Sequence, residues 1–190
     1  VSDGTDKDSI GWDIHVVDTA TPPEISDINL DSGLVAWYPF NGNANDESGN
    51  DYHGVNYNAD FSYDRFIVND KAVWFDRGDS IVYGNPSNND FDFGTQGDFT
   101  ISAWFKRSPA ADSTVNILAK RINLAPYEGF VLRIEHDGRI RFILDNNGNV
   151  HATTTQAFND NRWHHAVAIA NRDSALILFI DNIQVASSAA

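Results

Sequence analysis

From Leu34 onward β signals come regularly along the chain, several of them as apolar and polar residues alternating with a period of two. In Asp98–Arg107, Phe99, Ile101, Ala103 and Phe105 share one side, and Thr100, Ser102, Trp104 and Lys106 the other. That period is the signature of a strand with one buried face. The same reading predicts strands over Leu34–Tyr38, Ala72–Asp76, Ser80–Tyr83, Asn116–Arg121, Gly129–His136, Arg139–Leu144, Trp163–Ala170 and Ala175–Ile180. Asp137-Gly138, Asn147-Gly148 and Asp181-Asn182 separate them as hairpin signals. No segment repeats convincingly at the helical period. The expected architecture is all-β, a two-sheet antiparallel sandwich or jelly roll.

The first residues differ from the rest. Asp3-Gly4 marks a turn, and Ile10, Trp12, Ile14 and Val16 alternate with Gly11, Asp13, His15 and Val17. A lone hairpin is not stable in water, so this strand needs a partner. Residues 1–18 are read as the terminal strands of an upstream repeat or as a strand-donating segment. Residues 19–32, with Pro22-Pro23, are read as an extended linker. The main domain is placed at 33–190.

Composition narrows the function. The chain has 190 residues, and 27 acidic against 13 basic ones give a net charge of −14. Such a chain is a poor tracker of phosphate backbones, so nucleic acid is not an expected partner. An anionic membrane surface is disfavoured likewise, and no apolar run is long enough to insert. The absence of Cys removes disulfides, thiolate metal sites and a Cys nucleophile. All but four of the acids are Asp, and 20 Asn join them. Asx at this density suits turns.

Several runs resemble a known family in order along the chain. Gly33 to Asn50 reads GLVAWYPFNGNANDESGN, followed by His53-Gly54. Then come Ala72-Val73-Trp74-Phe75-Asp76, Phe99-Thr100-Ile101-Ser102-Ala103-Trp104, Trp163-His164-His165-Ala166-Val167-Ala168 and Leu178-Phe179-Ile180-Asp181-Asn182-Ile183-Gln184-Val185-Ala186. Together they resemble the laminin-G-like, concanavalin A-type jelly rolls of bacterial surface proteins. The opening residues resemble the closing strands of immunoglobulin-like surface repeats. The family normally carries further strands after the last of these runs, so the resemblance implies a jelly roll lacking its last strands. Either the sequence is cut short of those strands or another strand fills the gap, for which Ile10–Val17 is the candidate, in cis or by strand exchange between chains. Asn182 stands where the family has Gly, a mild departure because Asn tolerates the left-handed region.

The resemblance implies an extracellular or cell-surface module that binds a glycan or a cell-surface protein, without catalysis and with a structural Ca²⁺. Oxygen donors recur from Asn41 to Asp51, as a calcium ion with six to eight ligands requires. Asn43 and Asp46 are the expected side-chain ligands, with Asn45, Ser48 and Asp51 behind them. The alternative for the same residues is a set of Asx turns whose side chains bond their own backbone. For ligand binding, Tyr57, Tyr63, Tyr83 and Tyr127 near loop edges are the expected stacking platform. Trp37, Trp74, Trp104 and Trp163, inside predicted strands, are expected mostly to fill the core. Arg77-Gly78-Asp79 is read as a hairpin turn. A jelly-roll glycosidase would want closely spaced carboxylates such as E-x-D-x-E, and none occurs. Two rivals stay open, a structural spacer of a large adhesin and a catalytic jelly roll acting as glycosidase or polysaccharide lyase.

Overall fold

A computed structural model describes residues 33–84, 86, 90–93, 97–121, 128–146 and 149–189. The chain divides into two units, 1–34 and 35–190, and every strand described below belongs to the second. The expected strand over Ile10–Val17, the linker up to Asp31 and Ser32, and the turn at Asn147-Gly148 lie outside the described residues.

Twelve strands occur among the described residues: β1 (Gly54–Tyr57), β2 (Asp60–Ser62), β3 (Ala72–Trp74), β4 (Ser80–Tyr83), β5 (Phe99–Lys106), β6 (Val115–Arg121), β7 (Glu128–Ile134), β8 (Arg139–Asn146), β9 (Asn149–Ala157), β10 (Trp163–Asn171), β11 (Ala175–Ile180) and β12 (Ile183–Ala189). Two four-stranded sheets dominate, ordered β12-β11-β10-β5 and β6-β7-β8-β9. Every pairing is antiparallel. Two short ribbons, β1-β4 and β2-β3, accompany them. This is the all-β, two-sheet jelly-roll sandwich expected from the alternation.

The core lies between the two large sheets. Phe99, Ile101 and Phe105 of β5 and Leu176, Leu178 and Ile180 of β11 meet Phe130, Leu132 and Ile134 of β7 and Ile140, Phe142 and Leu144 of β8. Between β5 and β11 runs β10, whose inward residues are Ala166, Ala168 and Ala170, all fully buried. Small side chains on that central strand leave room for the large rings opposite, the complementarity that dense packing requires. Phe99 packs edge-on against Phe142 and tilted against Phe130.

Several expectations need correction. Leu34–Tyr38 forms no strand. Trp37 gives its N–H to the Asp46 carboxylate at 2.8 Å and takes the Glu47 N–H on its carbonyl at 2.8 Å, so its backbone is bonded to a loop rather than a ladder. Arg77-Gly78-Asp79 is a turn, closed by the Asp79 N–H on the Asp76 carbonyl, but no hairpin, because β3 and β4 pair with different partners. The Trp residues do not fill the core: Trp37, Trp74 and Trp104 are exposed and Trp163 is half-buried. The turn at Asp181-Asn182 follows the sequence signal, with both residues at positive φ (51° and 66°) as a type I′ hairpin demands.

Candidate functional site

The loop from Trp37 to His53 is organised around one carboxylate. Asp46 is 5% exposed. Its Oδ1 accepts the N–H groups of Trp37 (2.8 Å) and Ser48 (2.9 Å). Its Oδ2 accepts the Ser48 hydroxyl (2.8 Å) and the Tyr52 N–H (3.1 Å). The Asp46 N–H donates to His53 Nδ1 at 3.1 Å. Burial pushes the carboxyl pKa up, but the bonds from Trp37, Ser48 and Tyr52 outweigh it and hold it below 3.8. Asn43 closes an Asx turn through the Asn45 N–H at 2.8 Å. The Ser48 hydroxyl also accepts the Asn50 N–H, and Asp51 is exposed beside His53.

This arrangement brings the five expected calcium ligands into one loop. Two oxygens with two lone pairs each offer about four acceptor sites, and Asp46 has four donors on them. As bonded here, Asp46 does not fit a direct calcium ligand. Among the described residues, no group of three or more His, Asp or Glu is placed to hold a metal ion.

The tyrosines expected as a platform differ in exposure. Tyr57 and Tyr63 are exposed, at 52% and 59%. Tyr83 packs against Tyr38 with ring centroids 4.2 Å apart, and burial raises its hydroxyl pKa to about 12. Tyr127 lies outside the described residues.

A different aromatic surface is present. Phe66 (68% exposed), Ile67 (81%) and Val68 (47%) form the tip of the loop between β2 and β3. Asp64 Oδ1 accepts the N–H groups of Phe66 and Val68, at 2.8 and 2.9 Å, which clamps the tip. Ile67 sits at φ 64°, an outlier for a β-branched residue. The Arg65 guanidinium lies 4.3 Å from the Phe66 ring centre and 4.4 Å from that of Trp104. Trp104 in turn stacks on His165 at 4.9 Å, and His165 Nε2 bonds the Ser102 hydroxyl at 2.8 Å. Phe66, Arg65, Trp104 and His165 thus form one linked row reaching from the loop onto β5 and β10. The alternation puts Trp104 on the face of β5 opposite Phe99, Ile101 and Phe105, and that face is open rather than part of the core.

On the other face of β10, against Phe105 and Phe158, His164 bridges two carboxylates. Its Nδ1 lies 2.7 Å from Asp181 and its Nε2 3.0 Å from Asp160. Burial lowers the imidazole pKa, but the hydrogen bonds and charges of Asp181 and Asp160 prevail and raise it above 6.5. Asp181 is held below 3.8, as burial is outweighed by the His165 N–H and by His164. The raised imidazole stabilises the fold fully below its unfolded value, and that contribution is lost as pH rises through the folded value. The lowered carboxylates contribute above about pH 3.8 and lose it in acid. The expected result is a melting temperature that falls as pH rises above about 6.5 in the native protein and falls less in His164→Gln. Equal slopes in thermal melts of the two proteins would refute the bridge.

Fold and surface together define a two-sheet β-sandwich with aromatic and charged side chains on its outer faces. The chain belongs to the concanavalin A-like lectin/glucanases superfamily: the Laminin_G_3 family model matches residues 78–190. It is 27% identical over 145 residues to a non-toxic nonhemagglutinin of Paraclostridium bifermentans, covering 74% of this chain and 12% of that protein. It is 25% identical over 124 residues to the type D non-toxic nonhemagglutinin of Clostridium botulinum D phage, covering 62% of this chain and 10% of that protein. The chain therefore spans only about a tenth of those relatives. Among solved structures, the binding domain of Paraclostridial Mosquitocidal Protein 1 superposes with a TM-score of 0.60 at 19% identity, covering 76% of this chain and 37% of that one. The binding domain of botulinum neurotoxin DC, solved with rat synaptotagmin II, gives 0.61 at 10% identity, covering 84% and 40%. These likenesses show the fold.

Proposed function

We propose that this chain is a non-catalytic ligand-binding module that recognises a glycan or a protein on a cell surface, and that it works outside the cell. The observation that carries this reading is the row Phe66–Arg65–Trp104–His165. Exposed rings beside hydrogen-bonding side chains are what sugar stacking and protein hot spots both use. That the similar solved structures are binding domains supports the same class. The spacer alternative predicts no exposed aromatic cluster, and this row weighs against it. The catalytic alternative finds little support. The Ser102–His165 pair has no acid on the other ring nitrogen among the described residues. Glu135, salt-bridged by Arg133 and Arg141, is held ionised rather than poised as a proton donor.

A glycan array and a cell-binding assay, each with and without chelator, test the reading. Trp104→Ala is expected to weaken binding about tenfold or more, the scale of a Trp hot spot. Absence of binding to glycans and to cells under both conditions would defeat it. A structural Ca²⁺ at the Asn43–Asp51 loop is no part of this proposal, because four donors already occupy Asp46, and its test accompanies that of Asp46 in the Discussion.

A further inference from the structure

On β7, β8 and β9 the residues that alternate with the core point away from it. Phe130, Leu132, Ile134, Ile140, Phe142 and Ala152 face inward. Arg133, Arg141, His151 and Thr153 therefore share the opposite face. A half-open groove of about 350 Å³ lies there, lined by Glu135, His136, Arg139, Arg141, His151 and Thr153. No apolar side chain lines it, so it does not suit an apolar ligand.

The charges are arranged against the character of the whole chain. Arg133 and Arg141 stand directly opposite each other in the β7–β8 register. Like charges so placed are destabilising. One carboxylate stands between them: Glu135 Oε1 lies 3.0 and 2.7 Å from Arg133 Nε and Nη2, and 3.3 Å from Arg141 Nη1. A guanidinium has five N–H donors in a rigid fork, and Glu135 engages only one nitrogen of Arg141. Arg141 Nε and Thr153 Oγ1 are buried with no hydrogen-bond partner among the described residues. Unmet buried donors of this kind cost free energy, and since neither atom is open to solvent, a ligand recovers it only by drawing these side chains outward.

Guanidinium donors outnumber acceptors in the groove, yet Glu135 in its lining would repel a bare polyanion. A carboxylate next to free guanidinium donors suits a ligand carrying both an acid group and hydroxyls. The net charge of −14 disfavours long polyanions in the same way. We propose that this groove is a second binding site, for a singly charged acidic sugar at the end of a glycan. Arg141, with Arg133 beside it, takes the acid group, while Glu135, Thr153 and His151 bond ring hydroxyls. The proposal rests on the binding-module reading for its ligand class but not for its location, since Trp104 lies on the other large sheet.

The test is titration of the protein with 3′-sialyllactose, with 3′-sulfolactose and with lactose, followed by calorimetry and amide chemical shifts. The carboxylated or the sulfated sugar is expected to bind at least about tenfold more tightly than lactose. Rising salt should weaken it, as screening requires. Arg141→Gln should lose about tenfold, and the exposed His151→Ala several-fold, with the shifted amides on β8 and β9. Trp104→Ala should leave this binding unchanged, which separates failure of this site from failure of the aromatic row. Arg141→Gln is judged only if its melting profile stays native, with His151→Ala standing in otherwise. Equal binding of lactose, no binding of either acid, or full binding by folded variants would each overturn the proposal.

Discussion

Asp46→Ala is expected to lower stability by about 3 kcal/mol and to release the loop between Trp37 and His53. The carboxylate accepts three backbone N–H groups and one hydroxyl, drawn from both ends of the loop. Alanine removes all four acceptors and leaves the three N–H groups to find water. Hydrogen bonds to a charged group contribute about 1.5–3 kcal/mol each, and the loop's partial exposure offsets part of the loss. Asp46→Asn keeps one accepting oxygen and should lie between. The pH dependence follows from the lowered carboxyl pKa. Its contribution is full above about pH 3.8 and is lost as pH falls through the folded value. Chemical denaturation at neutral pH and in acid checks this: the gap between native protein and Asp46→Ala should close in acid. The same melts with millimolar calcium and with chelator test the cation. Because Asp46 is already saturated with donors, no upward shift is expected. A rise of several degrees with calcium, absent in the variant, would restore calcium as the organiser through linkage.

How far the sequence could lead is visible residue by residue. Strand β5 was legible because Phe99, Ile101 and Phe105 are buried and Thr100, Ser102 and Lys106 are not. The Asp137-Gly138 and Asp181-Asn182 turns were legible from local backbone chemistry alone. What failed depended on distant partners. Leu34–Tyr38 has the pattern of a strand, but Asp46 claims the Trp37 N–H first. Strands β9 and β12, NVHATTTQA and IQVASSA, went unmarked because their small and hydroxylated residues carry little apolar contrast. On β9 the layer is completed by Ala152 and Thr154 with Val150 against them, and on β12 by Val185 and Ala186. Trp37, Trp74 and Trp104 were misplaced because alternation assigns residues to a face without saying whether that face is covered.

The candidate sites divide along the same line. Asp46 was singled out for its oxygen-rich neighbourhood, and the alternative role weighed for it, bonding local backbone, is the one its contacts describe. The Arg133–Glu135–Arg141 group was not found, because it joins two strands. A signal did exist: Arg133-x-Glu135 and Arg139-x-Arg141 carry charge at a period of two. That spacing marks a charged outer face as clearly as spaced Phe and Ile mark an inner one. The row through Arg65 and Trp104 carried no such mark, since it needs the β2–β3 loop to meet β5.

Thr154→Val should cost about 2–3 kcal/mol although it preserves shape. Thr154 is 1% exposed, among the most deeply buried polar residues described. It sits at an irregularity between β8 and β9, where Arg139 pairs with Ala157 but Arg141 with Thr153. The extra residues on β9 pull its backbone away from Ile140, whose N–H then lacks a ladder partner. The Thr154 hydroxyl takes that place: it accepts the Ile140 N–H at 3.0 Å and donates to the Gln156 carbonyl at 2.7 Å. Valine fills the same volume and does neither. Ile140 is fully buried, so its N–H would be stranded away from water, at about 1–3 kcal/mol for such a group. The Gln156 carbonyl lies where water reaches it and adds less. Thr154→Ser keeps the hydroxyl and loses a methyl, so it should retain most of the stability. Denaturant midpoints of the two variants separate the hydroxyl from the packing, and a Val variant as stable as the native protein would refute the assignment. The bulge also turns Arg139 and Arg141 relative to Thr153, all three lining the groove. Thr154→Val should therefore broaden amide signals at Arg139 and Arg141 in nuclear magnetic resonance spectra before it unfolds the rest of the sandwich, because the orphaned bond lies directly between them.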